Sequence, residues 1–130
     1  MIPTGPSPIR YLVVDDDAFV RQHVPEYLAG DPELSFVGAC SDGAEAVSVA
    51  LADPPHVVLM DLQMPGMDGF TAMRRIRDAE PRTRVIALTN LDDEFSIARV
   101  LTAGGSACLP KMATRQQITD TIKAVVRHGL

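Results

Sequence analysis

The stretch His56-Val-Val-Leu-Met-Asp-Leu-Gln-Met-Pro-Gly-Met-Asp-Gly69 decides the fold. His56 to Met60 is a near-continuous apolar run, the pattern of a strand buried on both faces. A carboxylate, Asp61, follows directly. Asp61 to Asp68 reads as a loop, with Pro65 and Gly66 as its turn residues. Asp68 and Gly69 then turn the chain into a helix from Phe70 to Ala79, where Phe70, Met73 and Ile76 recur at helical spacing.

The same alternation extends in both directions. Upstream, Ile9 to Val14 reads as a strand, and Asp17 caps a helix from about Ala18 to Leu28. Pro25 lies inside that helix and is expected to kink or shorten it. Leu34 to Ala39 is a second strand. Ser41 or Asp42 caps a helix from about Gly43 to Leu51, with Ala46, Val49 and Ala50 on one face. Downstream, Val85 to Leu88 is a fourth strand, followed by a helix from about Asp92 to Ala103. Gly104 and Gly105 close that helix. Ala107 to Leu109 is a short fifth strand. Thr114 caps a last helix to about Arg127, with Ile118, Ile122 and Val125 facing inward. Five strands alternating with five helices predict an α/β fold, a parallel sheet with helices on both faces. Ligands of such sheets bind at the carboxyl ends of the strands.

At 130 residues the chain predicts one domain, residues 9–130, behind a flexible leader of residues 1–8 holding three prolines and a glycine. It is 46% hydrophobic, enough to bury a core without staples. Cys40 and Cys108 lack a pairing motif and are expected as reduced thiols in a cytoplasmic protein. The net charge of −5 argues against direct nucleic-acid contact by this chain, because such affinity rests on Lys and Arg neutralising phosphates. No apolar run approaches the roughly 20 residues that span a bilayer.

Most of the 17 acidic residues are aspartates, a type that favours caps, turns and sites. Asp17 and Asp92 are explained as helix caps, and Asp68 by its turn. Asp15, Asp16 and Asp61 are not explained in this way. They follow the first and third strands, while Thr89 ends the fourth and Lys111 follows the fifth. Four strands thus deliver polar groups to one edge. Clustered carboxylates repel unless cations are near. A hard divalent cation such as Mg2+ together with Lys111 balances them. Such a site suits a phosphoryl group, with a carboxylate as nucleophile and a hydroxyl and an ammonium on its oxygens.

The sequence resembles a two-component response-regulator receiver domain. The likeness is carried by Leu12-Val-Val-Asp-Asp-Asp17, Val58-Leu-Met-Asp-Leu-Gln-Met-Pro-Gly-Met-Asp-Gly69, Val85-Ile-Ala-Leu-Thr89 and Ala103-Gly-Gly-Ser-Ala-Cys-Leu-Pro-Lys111. Leu91-Asp-Asp-Glu-Phe95 and the run before Gly105 look most like the NarL/LuxR type. The resemblance implies a flavodoxin-like doubly wound sheet of order 2-1-3-4-5. It implies Asp61 as phosphoacceptor, served by a sensor histidine kinase. It also implies Mg2+ held by Asp15, Asp16, Asp61 and the backbone carbonyl of Gln63. Thr89 and Lys111 would bind the phosphoryl oxygens. Such a domain promotes its own phosphotransfer and dephosphorylation and is not an enzyme on a separate substrate. The family type implies possible homodimerisation on activation and transcriptional output through a C-terminal DNA-binding domain outside this chain.

Three positions depart from the family pattern. Cys108 stands where the family's switch aromatic is expected, Asn90 replaces the usual small residue after the threonine, and Pro110 precedes the lysine. Cys108 is expected to be a small buried residue. The peptide after Lys111 is expected trans, since Met112 replaces the proline common there. The departures motivate an alternative, a phosphorylation-independent interaction module with Thr89, Asn90 and Cys108 as an altered switch region.

Overall fold

A computed structural model describes residues 7–90 and 94–128. Most of the expected leader, the expected Asp92 cap and most of the segment Leu91 to Phe95 lie outside the described residues. The elements are β1 (Ile9–Val14), α1 (Ala18–Leu28), β2 (Leu34–Cys40), α2 (Gly43–Ala52), β3 (Val57–Asp61), α3 (Gly69–Ala79), β4 (Arg84–Thr89), α4 (Glu94–Thr102), β5 (Ala107–Pro110) and α5 (Arg115–His128). The strands form one parallel sheet in the order β2-β1-β3-β4-β5, the expected doubly wound arrangement.

Side chains alternate across each strand, so the central strands feed two apolar layers. Leu12, Val14, Val58, Met60, Val85 and Ala87 face the layer that also holds Ala46, Ala50, Met73, Ile76 and Val100 of α2, α3 and α4. Tyr11, Val13, Val57, Leu59, Ile86 and Leu88 face Leu28 of α1 and Ile118, Ile122 and Val125 of α5. Both faces of β3 are therefore covered, which accounts for its unbroken apolar run.

The caps are local chemistry. Asp17 accepts from Phe19 N–H, Asp42 from Glu45 N–H and Asp68 from Thr71 N–H, each at the start of a helix. Thr114 and Gln117 form a reciprocal capping box on α5, at 3.1 and 2.8 Å. Gly104, at φ 100°, ends α4 in a Schellman motif: Gly105 N–H donates to Val100 O and Gly104 N–H to Leu101 O.

Several expectations are corrected. Of the kinking or shortening expected from Pro25, shortening does not occur: α1 keeps its expected span, Ala18 to Leu28. Strand β3 begins one residue later than expected and includes Asp61, so that the carboxylate is the last strand residue rather than the first of the loop. Val49 of α2 is 39% exposed; the covered face is Gly43, Ala46, Val47 and Ala50, the i, i+3, i+4, i+7 stripe. Cys108 is half-buried rather than buried, because β5 is the edge strand of the sheet among the described residues. Among the described residues no peptide bond is cis.

Gly69 fixes how α3 meets the end of β3. A Cβ there would lie 2.5 Å from Asp61 O and 2.7 Å from Leu62 Cα, both backbone atoms that cannot swing aside. Gly69→Ala is therefore expected to lower stability by about 1–3 kcal/mol, the usual cost of overpacking, read as a lower urea midpoint with an unchanged slope. A midpoint equal to the parent's would show that the loop absorbs the methyl group.

Candidate functional site

The carboxyl ends of β1 and β3 lie side by side, with Val14 paired to Met60. The next residue on each strand path is an aspartate. Asp15 and Asp61 are both 1% exposed, and Asp16 is exposed beside them. Carboxylate oxygens of Asp15, Asp16 and Asp61 come within 4.8 Å of one another.

The two buried aspartates are held alike. Asp15 Oδ1 accepts Asp17 N–H at 2.9 Å, and Asp61 Oδ1 accepts Gln63 N–H at 3.0 Å. Each is an Asx turn, a side chain bonding the backbone two residues on. One oxygen of each carboxylate is thereby anchored, and the other is presented to the pocket. Both Oδ2 atoms face Lys111 Nζ, at 3.3 Å for Asp15 and 3.2 Å for Asp61. These are ion pairs without aligned hydrogen bonds, so both buried Oδ2 atoms lack a hydrogen-bond partner.

Lys111 reaches them from the end of β5. Its own backbone N–H donates to Thr89 O at 3.1 Å, which ties β5 to β4 just past Pro110. Thr89 is 1% exposed and stands one residue beyond Leu88, the register partner of Asp61. The structure thus gathers Asp15, Asp16, Asp61 and Lys111 and ties Thr89 to Lys111 through the backbone. The side chain of Gln63 is exposed, and its backbone N–H serves Asp61. Asn90 is exposed, and Cys108 packs against the α2, α3 and α4 layer.

Arg21 escaped the sequence reading. Its guanidinium donates to Asp15 O at 2.8 Å, tying the second turn of α1 to the acidic loop. Its place four residues after the Asp17 cap was the available signal, but an arginine at that spacing is ordinary on a helix surface.

Burial pushes the Asp61 carboxyl up to about 6. The Gln63 N–H works against this, Asp15 adds to it, and Lys111 opposes it. Burial also pulls the Lys111 ammonium down, but its two carboxylate partners outweigh that and its pKa is raised. One lysine therefore does not neutralise the cluster. Three carboxylates and one ammonium leave two negative charges, and the donors are all hard oxygens. That set fits a divalent cation of the Mg2+ kind.

This fold, with an acidic pocket at the strand ends, marks a class of signalling domain, and the comparisons name it. Residues 11–123 match the response regulator receiver domain family. The chain is 36% identical over 116 residues to the transcriptional regulatory protein LiaR of Bacillus subtilis, covering 89% of this chain and 55% of LiaR. It is 42% identical over 105 residues to protein-glutamate methylesterase/protein-glutamine glutaminase 2 of Pseudomonas fluorescens, covering 79% of this chain but 28% of that protein. The signal receiver domain of the response regulator NarL from Mycobacterium tuberculosis superposes with a TM-score of 0.83 at 33% identity, covering 95% and 97% of the two chains. The chain belongs to the receiver-domain family of two-component response regulators, and its likeness to NarL supports the subfamily resemblance. It spans about half of LiaR and under a third of the methylesterase. Among the described residues no helix is long and apolar enough to cross a membrane.

The Asp61 shift has a sign in stability. Its folded pKa, about 6, lies above the ordinary carboxyl value of 3.8. Between those values the folded state binds more protons than the unfolded, so this group's stability penalty is full above pH 6 and fades as pH falls towards 4. In chelator, Asp61→Asn is expected to be more stable than the parent at pH 7 by about 1–3 kcal/mol. That advantage should shrink to near zero at pH 4, measured by urea unfolding across the series. A difference independent of pH would overturn this account of the site.

Proposed function

We propose that the chain receives a phosphoryl group on Asp61 from a phosphohistidine of a sensor histidine kinase, in the cytoplasm, and converts it into a change of surface. The observation that carries this reading is the buried Oδ2 of Asp61, which accepts no hydrogen bond and has only the Lys111 ammonium beside it. With Oδ1 engaged by Gln63 N–H, Oδ2 is the oxygen left to react. Its lone pair forms the O–P bond while the P–N bond to the donor imidazole breaks, and the imidazole nitrogen is protonated as it leaves. Lys111 pairs with a phosphoryl oxygen, and Thr89 donates a hydrogen bond to another. Water attack on phosphorus later restores the carboxylate.

Asp15, Asp16, Asp61 and the Gln63 carbonyl would hold Mg2+. The bound ion supplies two positive charges against the developing negative charge on the phosphoryl oxygens. The exposure of Asp16 gives the site a solvent-facing ligand. The likeness to LiaR, a longer transcriptional regulatory protein of which this chain spans 55%, supports a transcriptional output through a DNA-binding domain, and homodimerisation on activation is part of the same proposal. The chain's −5 charge leaves nucleic-acid contact to such a partner domain. A second reading, an interaction module indifferent to phosphorylation, is favoured by one observation: half-buried Cys108 stands where the switch aromatic is expected. A thiol cannot fill the space that a ring would.

Two measurements test the proposal. Incubation with Mg2+ and a small phosphodonor should yield a single phosphoryl adduct by intact mass, lost in Asp61→Asn; no adduct, or one that survives that substitution, overturns it. Mg2+ should raise the parent's Tm by several degrees and raise that of Asp16→Ala far less, since a ligand that binds only the folded state stabilises it. Beryllofluoride then separates the two readings. A change in self-association or in α4 and α5 amide shifts supports the switch, and an unchanged protein supports the module.

A further inference from the structure

Between α3 and α4, away from the acid pocket, lies a cleft of about 340 Å³ lined by arginines. Arg74 and Arg75 stand on α3 and Arg99 on α4, all exposed. Arg99 is held: its guanidinium sits 4.0 Å above the ring of Phe70, and Phe70 itself packs against the core. Stacking uses the flat face of the guanidinium and leaves its N–H edges free for a bidentate acceptor. Among the described residues no hydrogen bond or ion pair engages Arg74, Arg75 or Arg99. Arg82, Arg84 and Arg115 elsewhere likewise carry no such bond, whereas Arg10, Arg21, Arg77, Lys111, Lys123 and Arg127 have partners.

What sets this groove apart is that three unpaired cations line one cleft, in a chain of net charge −5. Asp78 is the one carboxylate among the lining residues. The shape is a trough. Its α3 wall runs from Phe70 to Asp78, about 12 Å at the rise of a helix. A compact phosphate would meet one end of such a wall, whereas carboxylates spaced along a polypeptide would meet all of it. We infer that the α3–α4 groove, with Arg74, Arg75 and the Phe70-stacked Arg99, is a docking site for an acidic segment of a protein partner. The occupant bridges two helices, so its affinity depends on their separation. The inference does not rest on phosphorylation of Asp61.

The test uses the full chain and a fluorescent ten-residue Glu-rich peptide at low salt, followed by amide-shift titration. Shifts should centre on residues 70–78 and 99–103. Replacing Arg74, Arg75 and Arg99 by Ala should weaken binding about tenfold or more, with the pair Arg74→Ala and Arg75→Ala intermediate. The control Arg82→Ala with Arg115→Ala, two exposed arginines elsewhere, should bind as the parent does. Equal loss in the control, or shifts scattered over every basic residue, would reduce the effect to bulk charge and overturn the inference. Inorganic phosphate that matched the peptide's shifts and displaced it at equal concentration would overturn it in favour of a phosphate site. If the triple variant failed to fold, the double variant and the shift map would still decide.

Discussion

Two carboxylates buried against one lysine set the terms for the rest of this structure. Asp15 and Asp61 are almost wholly removed from water, and Lys111 faces both. Burying a charge is costly unless it is paired and hydrogen-bonded, and here one ammonium is shared between two anions. The surroundings supply what compensation they can. An Asx turn anchors one oxygen of each carboxylate, and the second oxygens stay unsatisfied. Burial pushes Asp61 up to about 6, and the uncompensated charge suits the cation and phosphoryl group proposed for the pocket. The stability given up at the site is the source of its chemistry.

The fold makes that deficit possible because the site is braced by packing and strand pairing on its other sides. β3 is covered on both faces, and its neighbours β1 and β4 are paired along their lengths. Gly69 lets α3 begin directly against the Asp61 carbonyl. Arg21 clamps the Asp15 carbonyl from α1, and the Lys111 N–H clamps Thr89 from β5. The looser side is the β4–β5 edge, where the strand is short, Pro110 offers no donor and Cys108 is half-buried. A signal leaving the acid pocket would cross that edge, and there the sequence departs most from the family pattern.

Much of this was legible beforehand because it is local. An apolar strand followed by an aspartate, a threonine cap and a Gly-Gly helix stop depend on neighbours within a few residues. The errors came from non-local facts. Val49 read as core because it repeats with Ala46, yet the sheet lies against the other stripe of α2. Cys108 read as buried because its strand is apolar, yet among the described residues β5 is the edge of the sheet. Arg21 looked like any helix-surface arginine until Asp15 O was placed beneath it. The groove of Arg74, Arg75 and Arg99 joins residues two dozen positions apart.

The sequence by itself determined the alternation of strands and helices, the family, and which three acids stand at strand ends, since these follow from periodicity, turn chemistry and motif spacing. Only the tertiary structure decided that Asp15 and Asp61 share one lysine, which oxygen of each is anchored, and that Asp61 is held near a pKa of 6. The reason is physical. Desolvation and charge coupling depend on distances across strands and on what excludes water above them, and no spacing along a chain encodes these.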